Sequence, residues 1–169
     1  MLRLEEGLMQ PVVPILMGSR VDLAHAQAIA ETLDKLGIVS EMRVASAHKT
    51  PNHLLALLAA YEADPRPKVY ITIAGRSNAL SGLVDAQVAT PVIACPPMAE
   101  AFGGADVFSS LRMPSGVAPA VVLDPAGAAL LAAKILGLAD PAVRERVAAL
   151  QKQMVERVLD DDADIQQSN

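Results

Sequence analysis

The sequence predicts a three-layer α/β domain built on a doubly wound parallel sheet. Two observations carry this. Short apolar runs that stop at turn residues alternate with longer stretches of helical periodicity. The chain is also long and apolar enough for one buried core, with 169 residues, 52% of them hydrophobic and 20% charged. Much of the apolar content is Ala, Val and Leu, which suits helices lying close on a sheet.

The elements follow in order. Residues 12–17 form an apolar run ending at Gly18-Ser19, a buried strand entering a tight turn, although Pro14 removes a ladder donor. Leu23, Ala26, Ala30, Leu33 and Leu36 then recur at helical spacing, and Gly37 closes that helix. Residues 39–45 read as a second strand and Ser46-Ala47-His48-Lys49 as a loop. Thr50 is placed to cap a helix that starts at Pro51 and runs to about residue 63. A third strand over 69–74 ends at Gly75-Arg76-Ser77-Asn78. A fourth over 92–95 ends at Pro96-Pro97, and a fifth spans 120–123. Asp124 and Pro125 start a helix that stops at Gly137.

A last helix begins at Asp140-Pro141. Val143, Val147, Leu150, Met154 and Val158 line one face of it. The sheet is complete before this helix starts, so the stripe needs another surface, and a neighbouring subunit is the expected one. The expected organisation is a catalytic domain over 1–138, a C-terminal helix over 139–159 and a flexible acidic tail over 160–169.

Composition excludes several classes of function. The net charge of −5 repels phosphate backbones, and the four scattered aromatics form no base-stacking platform, so nucleic acid is not an expected partner. No apolar run reaches the roughly 18 residues of a membrane span. Residues 1–10 carry Glu5 and Glu6 and lack a signal-peptide pattern. Cys95 is the single cysteine, which excludes an internal disulfide and a Cys-rich zinc site and fits a reducing cytoplasm. No residue group shows metal-ligand spacing.

In a doubly wound sheet the loops after the strands gather at the carboxyl edge, where ligands bind. Gly18-Ser19 offers close backbone approach, free N–H groups and a hydroxyl, a generic anion site. It is neither a Walker loop nor a dinucleotide fingerprint. Asp22 suits two tasks, capping the following helix, which is the expected one, or accepting a ribose hydroxyl. Ser46, His48 and Lys49 put a hydroxyl, a proton carrier and a point-charge donor in one loop. Gly75, Arg76, Ser77 and Asn78 offer donors for a planar anion or a forming carboxylate, though Ser77 or Asn78 can equally cap a helix. His25 and His53 fall inside predicted helices and are expected at the surface, while Cys95 is expected to be a buried strand residue. Arg112-Met113-Pro114-Ser115-Gly116 is turn-rich and reads as a lid or a plain connection.

The succession of Met17-Gly18-Ser19-Arg20-Val21-Asp22, Ser46-Ala47-His48-Lys49-Thr50-Pro51, Ala74-Gly75-Arg76-Ser77-Asn78, Pro91-Val92-Ile93 and Met113-Pro114-Ser115-Gly116 resembles the PurE family. These are phosphoribosylaminoimidazole carboxylases of the small-subunit type, and the resemblance covers roughly residues 12–138. It implies a flavodoxin-like fold, with the last helix as an addition. Ala74-Gly75-Arg76-Ser77-Asn78, Lys49 and Phe108-Ser109-Ser110-Leu111 look like the class II branch, which adds CO2 directly to aminoimidazole ribonucleotide. The mutase branch carries a second loop histidine, and this chain lacks one.

The resemblance implies a cytoplasmic enzyme of purine biosynthesis that needs neither ATP, biotin nor metal, hence no cofactor. It implies proton transfer by His48, with Lys49 beside it in the catalytic loop. Gly18, Ser19, Ser46 and Lys49 would grip the phosphate and Asp22 the ribose. Gly75, Arg76, Ser77 and Asn78 would hold CO2 or the new carboxylate. It also implies a homo-octamer with sites near subunit junctions. The alternatives are the mutase reaction on N5-carboxyaminoimidazole ribonucleotide and, outside enzymes, a module that binds a phosphorylated ligand.

Overall fold

A computed structural model describes residues 9–168. The absence of a signal-peptide pattern concerns residues that lie mostly outside that range. Five strands form one sheet in the order β2-β1-β3-β4-β5, and every pairing is parallel. They are β1 (Val12–Met17), β2 (Val39–Val44), β3 (Tyr70–Ile73), β4 (Val92–Ala94) and β5 (Ala120–Val121). The helices are α1 (Leu23–Lys35), α2 (Pro51–Ala63), α3 (Ala79–Gln87), α4 (Phe108–Leu111), α5 (Pro125–Leu136) and α6 (Pro141–Gln167).

Alternation along the central strands sorts the helices into two outer layers. Val13, Ile15 and Met17 of β1, with Ile71 and Ile73 of β3, meet Ala26, Ile29 and Leu33 of α1 and the alanines of α5. Leu16 and Tyr70 point the other way, onto Leu54 and Leu58 of α2 and Leu80 and Val84 of α3. This is the expected three-layer architecture.

Pro14 leaves a local mark. The N–H groups of Val12 and Gly18 both point toward the β3 side, donating to Pro67 and Ile73 carbonyls at 3.0 and 2.9 Å. Pro14 falls on the same side of the strand and has no N–H to give. Accordingly the β1–β3 ladder breaks between an isolated bridge at Val12↔Lys68 and the run that begins at Ile15↔Ile71. The third strand therefore starts at Tyr70, one residue later than expected.

The last helix departs from expectation in two ways. It continues to Gln167, so residues 160–167 are helical where a frayed tail was expected. Its apolar stripe also divides. Val143 and Val147 are buried in the core beside α5, and Leu150 is partly buried there. Met154 and Val158 are 51% and 67% exposed. The first half of the stripe thus packs on its own domain.

Candidate functional site

Three strands end in register. Met17 of β1 lies opposite both Val44 of β2 and Ile73 of β3. The Gly18 N–H donates to the Ile73 carbonyl at 2.9 Å, and the Ala45 N–H to the Met17 carbonyl at 2.9 Å. The loops that carry Gly18, Ser46 and Gly75 therefore leave from one row at the carboxyl edge. That row spans the point where strand order reverses, between β1 and β3.

The first loop is a tight turn. Ser19 is extended, with φ −159° and ψ 157°, and its hydroxyl accepts the Val21 N–H at 3.3 Å. That cap starts a 3-10 turn over Arg20–Asp22 and leaves the hydroxyl proton free to donate. Asp22 stands at the N-cap of α1 but makes no side-chain capping bond, contrary to the expected role. The chain enters α1 through the 3-10 turn, so Asp22 has φ −86° and ψ 5° rather than extended geometry. Burial pushes its carboxyl above the usual range, and His25 and the Ser19 backbone oppose this.

The second loop is closed by Thr50. The Ser46 N–H donates to Thr50 Oγ1 at 2.9 Å, and the Thr50 N–H returns to the Ser46 carbonyl at 2.9 Å. Thr50 therefore ties the loop backward, and its side chain does not cap α2 as expected. The Lys49 N–H donates to Ser46 Oγ at 3.2 Å. His48 and Lys49 stand exposed at the tip.

The third loop turns at Arg76, whose φ of 58° is left-handed and uncommon for a residue with a Cβ. Arg76 and Ser77 are exposed, while Asn78 is buried. Asn78 Oδ1 accepts the Ser81 N–H at 3.1 Å, and Asn78 Nδ2 donates to Ser110 Oγ at 2.8 Å. Its amide is thus engaged inside the protein. The helix-capping alternative for Asn78 is the one observed.

His25 is also corrected. It is half-buried, and its Nε2 lies 3.3 Å from the Cys95 sulfur. Burial lowers its pKa, against the opposing influence of Cys95, Asp22 and Asp124. Nothing in the spacing links residues 25 and 95; only the fold brings the residue after β4 against the first turn of α1. Cys95 is fully buried as expected, and burial with Asp124 nearby pushes its thiol up to about 12. A thiol held protonated is a poor nucleophile. His53 is exposed, as expected.

The turn-rich stretch after α4 is fastened to α3. A Cβ on Gly82 would stand 3.1 Å from Met113 Sδ, and the Ala118 N–H donates to Asp85 at 2.7 Å. It is a connection in this structure. Among the described residues, no cluster of His, Cys, Asp or Glu is arranged to hold a metal. No helix among them is long and apolar enough to cross a membrane.

A doubly wound sheet with donor-bearing loops at its switch point defines a class, the α/β proteins that take a small ligand at the carboxyl edge. Comparison with known proteins makes the class particular. The AIR carboxylase family model matches residues 12–157, and the chain belongs to that family. It is 52% identical to the phosphoribosylaminoimidazole carboxylase of Treponema denticola, over 92% of this chain and 98% of that one. It is 54% identical to the enzyme of the same name from Archaeoglobus fulgidus, over 82% of this chain and 76% of that one. The crystal structure of Treponema denticola PurE superposes with a TM-score of 0.90 at 51% identity, covering 91% and 98% of the two chains.

Proposed function

We propose that this protein carboxylates 5-aminoimidazole ribonucleotide with CO2, giving 4-carboxy-5-aminoimidazole ribonucleotide in purine biosynthesis without ATP. The observation that carries the reading is the shared row at Met17, Val44 and Ile73. It brings an anion-binding turn, a histidine loop and a guanidinium loop to one place. The two relatives named as phosphoribosylaminoimidazole carboxylases, at 52% and 54% identity, support the same activity.

The aminoimidazole is an enamine, so its C4 is already nucleophilic. C4 attacks the carbon of CO2, the new C–C bond forms, and negative charge moves to the carboxylate oxygens. The C4 proton must then leave, and His48 takes it. Gly75 N–H, Arg76 and Ser77 face the developing carboxylate. Gly18, Ser19, Ser46 and Lys49 hold the phosphate, with Asp22 on the ribose. Asn78 sits behind this loop as a support. CO2 binds weakly, so most of the work is orientation, worth about 7–11 kcal/mol in favourable cases.

His48, Lys49, Arg76 and Ser77 are exposed in the single chain. A CO2 site works best when dry. We therefore assign closure of the site to a neighbouring copy in a homo-octamer. A reducing cytoplasm suits the single free cysteine.

The test is incubation with aminoimidazole ribonucleotide and bicarbonate, without ATP, followed by product absorbance. Bicarbonate-dependent product is expected. Its absence overturns the proposal.

A further inference from the structure

Among the described residues, four polar side chains are buried besides the tyrosines and Cys95: Thr72, Asn78, Ser81 and Ser110. All four belong to one hydrogen-bonded chain. Thr72 Oγ1 on β3 lies 2.8 Å from Ser81 Oγ on α3. Ser81 Oγ donates to Asn78 Oδ1 at 2.9 Å, and Asn78 Nδ2 donates to Ser110 Oγ on α4 at 2.8 Å. The buried threonine, serine and asparagine side chains thus gather behind one loop. No buried side-chain nitrogen or oxygen among the described residues lacks a partner. Satisfied networks of this kind rigidify what they touch.

Ser109 completes the arrangement from the exposed side. The Asn78 N–H donates to Ser109 Oγ at 3.0 Å. The single proton of that hydroxyl is shared between the Asp106 carbonyl at 2.8 Å and the Arg76 carbonyl at 3.1 Å. One hydroxyl thus bridges residues 76 and 78, on either side of Ser77. The bridged turn contains the left-handed Arg76, a conformation that persists only where its surroundings enforce it.

We infer that Ser109 and Ser110 of α4 are positioning residues, which hold the Arg76-Ser77 turn in the shape that receives CO2. This rests on the proposed reading of the loop as the carboxylate cradle. Neither serine touches the reacting atoms. Ser110 anchors the Asn78 side chain, and Ser109 ties the backbone of the turn. Losing the Ser109 hydroxyl frees the Asn78 N–H and the Arg76 carbonyl, and the turn relaxes away from its left-handed form. Capture of CO2 then suffers, while the nucleotide grip, built on the other two loops, is spared.

The experiment compares Ser109→Ala, Ser109→Val and Ser109→Thr with the unaltered enzyme, and runs Arg76→Ala beside them. Steady-state kinetics are measured by varying bicarbonate and nucleotide separately. Val and Thr share a shape and differ in the hydroxyl. For Ala and Val, the KM for CO2 is expected to rise about tenfold or more, the scale of a misplaced binding group. The nucleotide KM should stay within about threefold, and Thr should restore the CO2 KM. A CO2 KM unchanged in Ala and Val, or raised equally in Thr, overturns the inference. If Arg76→Ala raises the CO2 KM and the Ser109 variants do not, the inference alone fails. If Arg76→Ala leaves it unchanged, the reading of the loop fails first. Amide exchange on the unaltered enzyme gives a check that needs no variant. The Asn78 N–H should exchange slowly, and slow further, together with Ser109, when the carboxylated product binds. Exchange at the rate of an open loop would also overturn the inference.

Discussion

His25 and Cys95 meet across 3.3 Å where β4 ends against the first turn of α1. Burial holds the imidazole below its ordinary 6.5, so the folded protein takes up that proton less readily than the unfolded chain. The stability this gives is present above about pH 6.5 and is lost as the pH falls through the lowered folded value. His25→Gln removes the titration and keeps a polar side chain. Its melting temperature should fall less steeply than that of the unaltered protein between about pH 6.5 and 5. Parallel melting curves in the two proteins would remove His25 from this role. The proposed proton carrier, His48, is exposed on its loop. His48→Asn should retain nucleotide binding and lose at least about 10²-fold in kcat, the lower end for a positioned acid–base group. Equilibrium binding and turnover, measured on one preparation, separate the two quantities.

Two helices, α5 and α6, began where their caps announced them, and the exceptions are physical. Asp140 accepts the N–H groups of Ala142 and Val143 at 2.9 and 3.2 Å, and Asp124 accepts that of Gly127 at 2.6 Å. Pro141 and Pro125 follow them directly, so α6 and α5 start at the expected residues. The first strand was equally legible, because all six of its residues are buried. Asp22 and Thr50 looked like caps of the same kind. A 3-10 turn and a backward tie to Ser46 took them instead, and such choices depend on loop geometry that residue type does not encode. The site loops could be read one at a time from their residue types. Pairings across long separations could not, and His25 with Cys95 or Asn78 with Ser110 emerge only once the sheet is assembled. The cap distinction makes a paired prediction. Asp140→Ala should destabilise by about 0.5–2 kcal/mol in urea unfolding, through the lost N-cap. Asp22→Ala should leave stability nearly unchanged, since no cap is lost, and should raise the nucleotide KM. A large stability loss in Asp22→Ala, with an unchanged KM, would return Asp22 to a structural role.

At the scale of the whole molecule, α6 poses the sharpest question. It has 27 residues, hence a length of about 40 Å. Only its first ten residues rest on the domain, through Val143, Val147 and Leu150. Beyond residue 150 the helix is exposed throughout the described residues, including Met154, Val155, Val158 and Leu159. A helical stretch of that length is marginal in water without a packed face. Exposed apolar residues on the edge strand β2, namely Val39, Met42 and Val44, add unpaired sheet edge to the same problem. Exposed apolar residues on one helix face and one strand edge are what a contact between chains would cover. Joint substitution Met154→Glu and Val158→Glu places two carboxylates on that face and should shift the protein to smaller species. Sedimentation velocity is the measurement, against an expected octamer of 17.7 kDa chains. If neighbouring copies complete the site, turnover per chain falls in step with dissociation as the variant is diluted. A dissociated, folded chain that keeps full turnover would show that the loops do their chemistry without a neighbour.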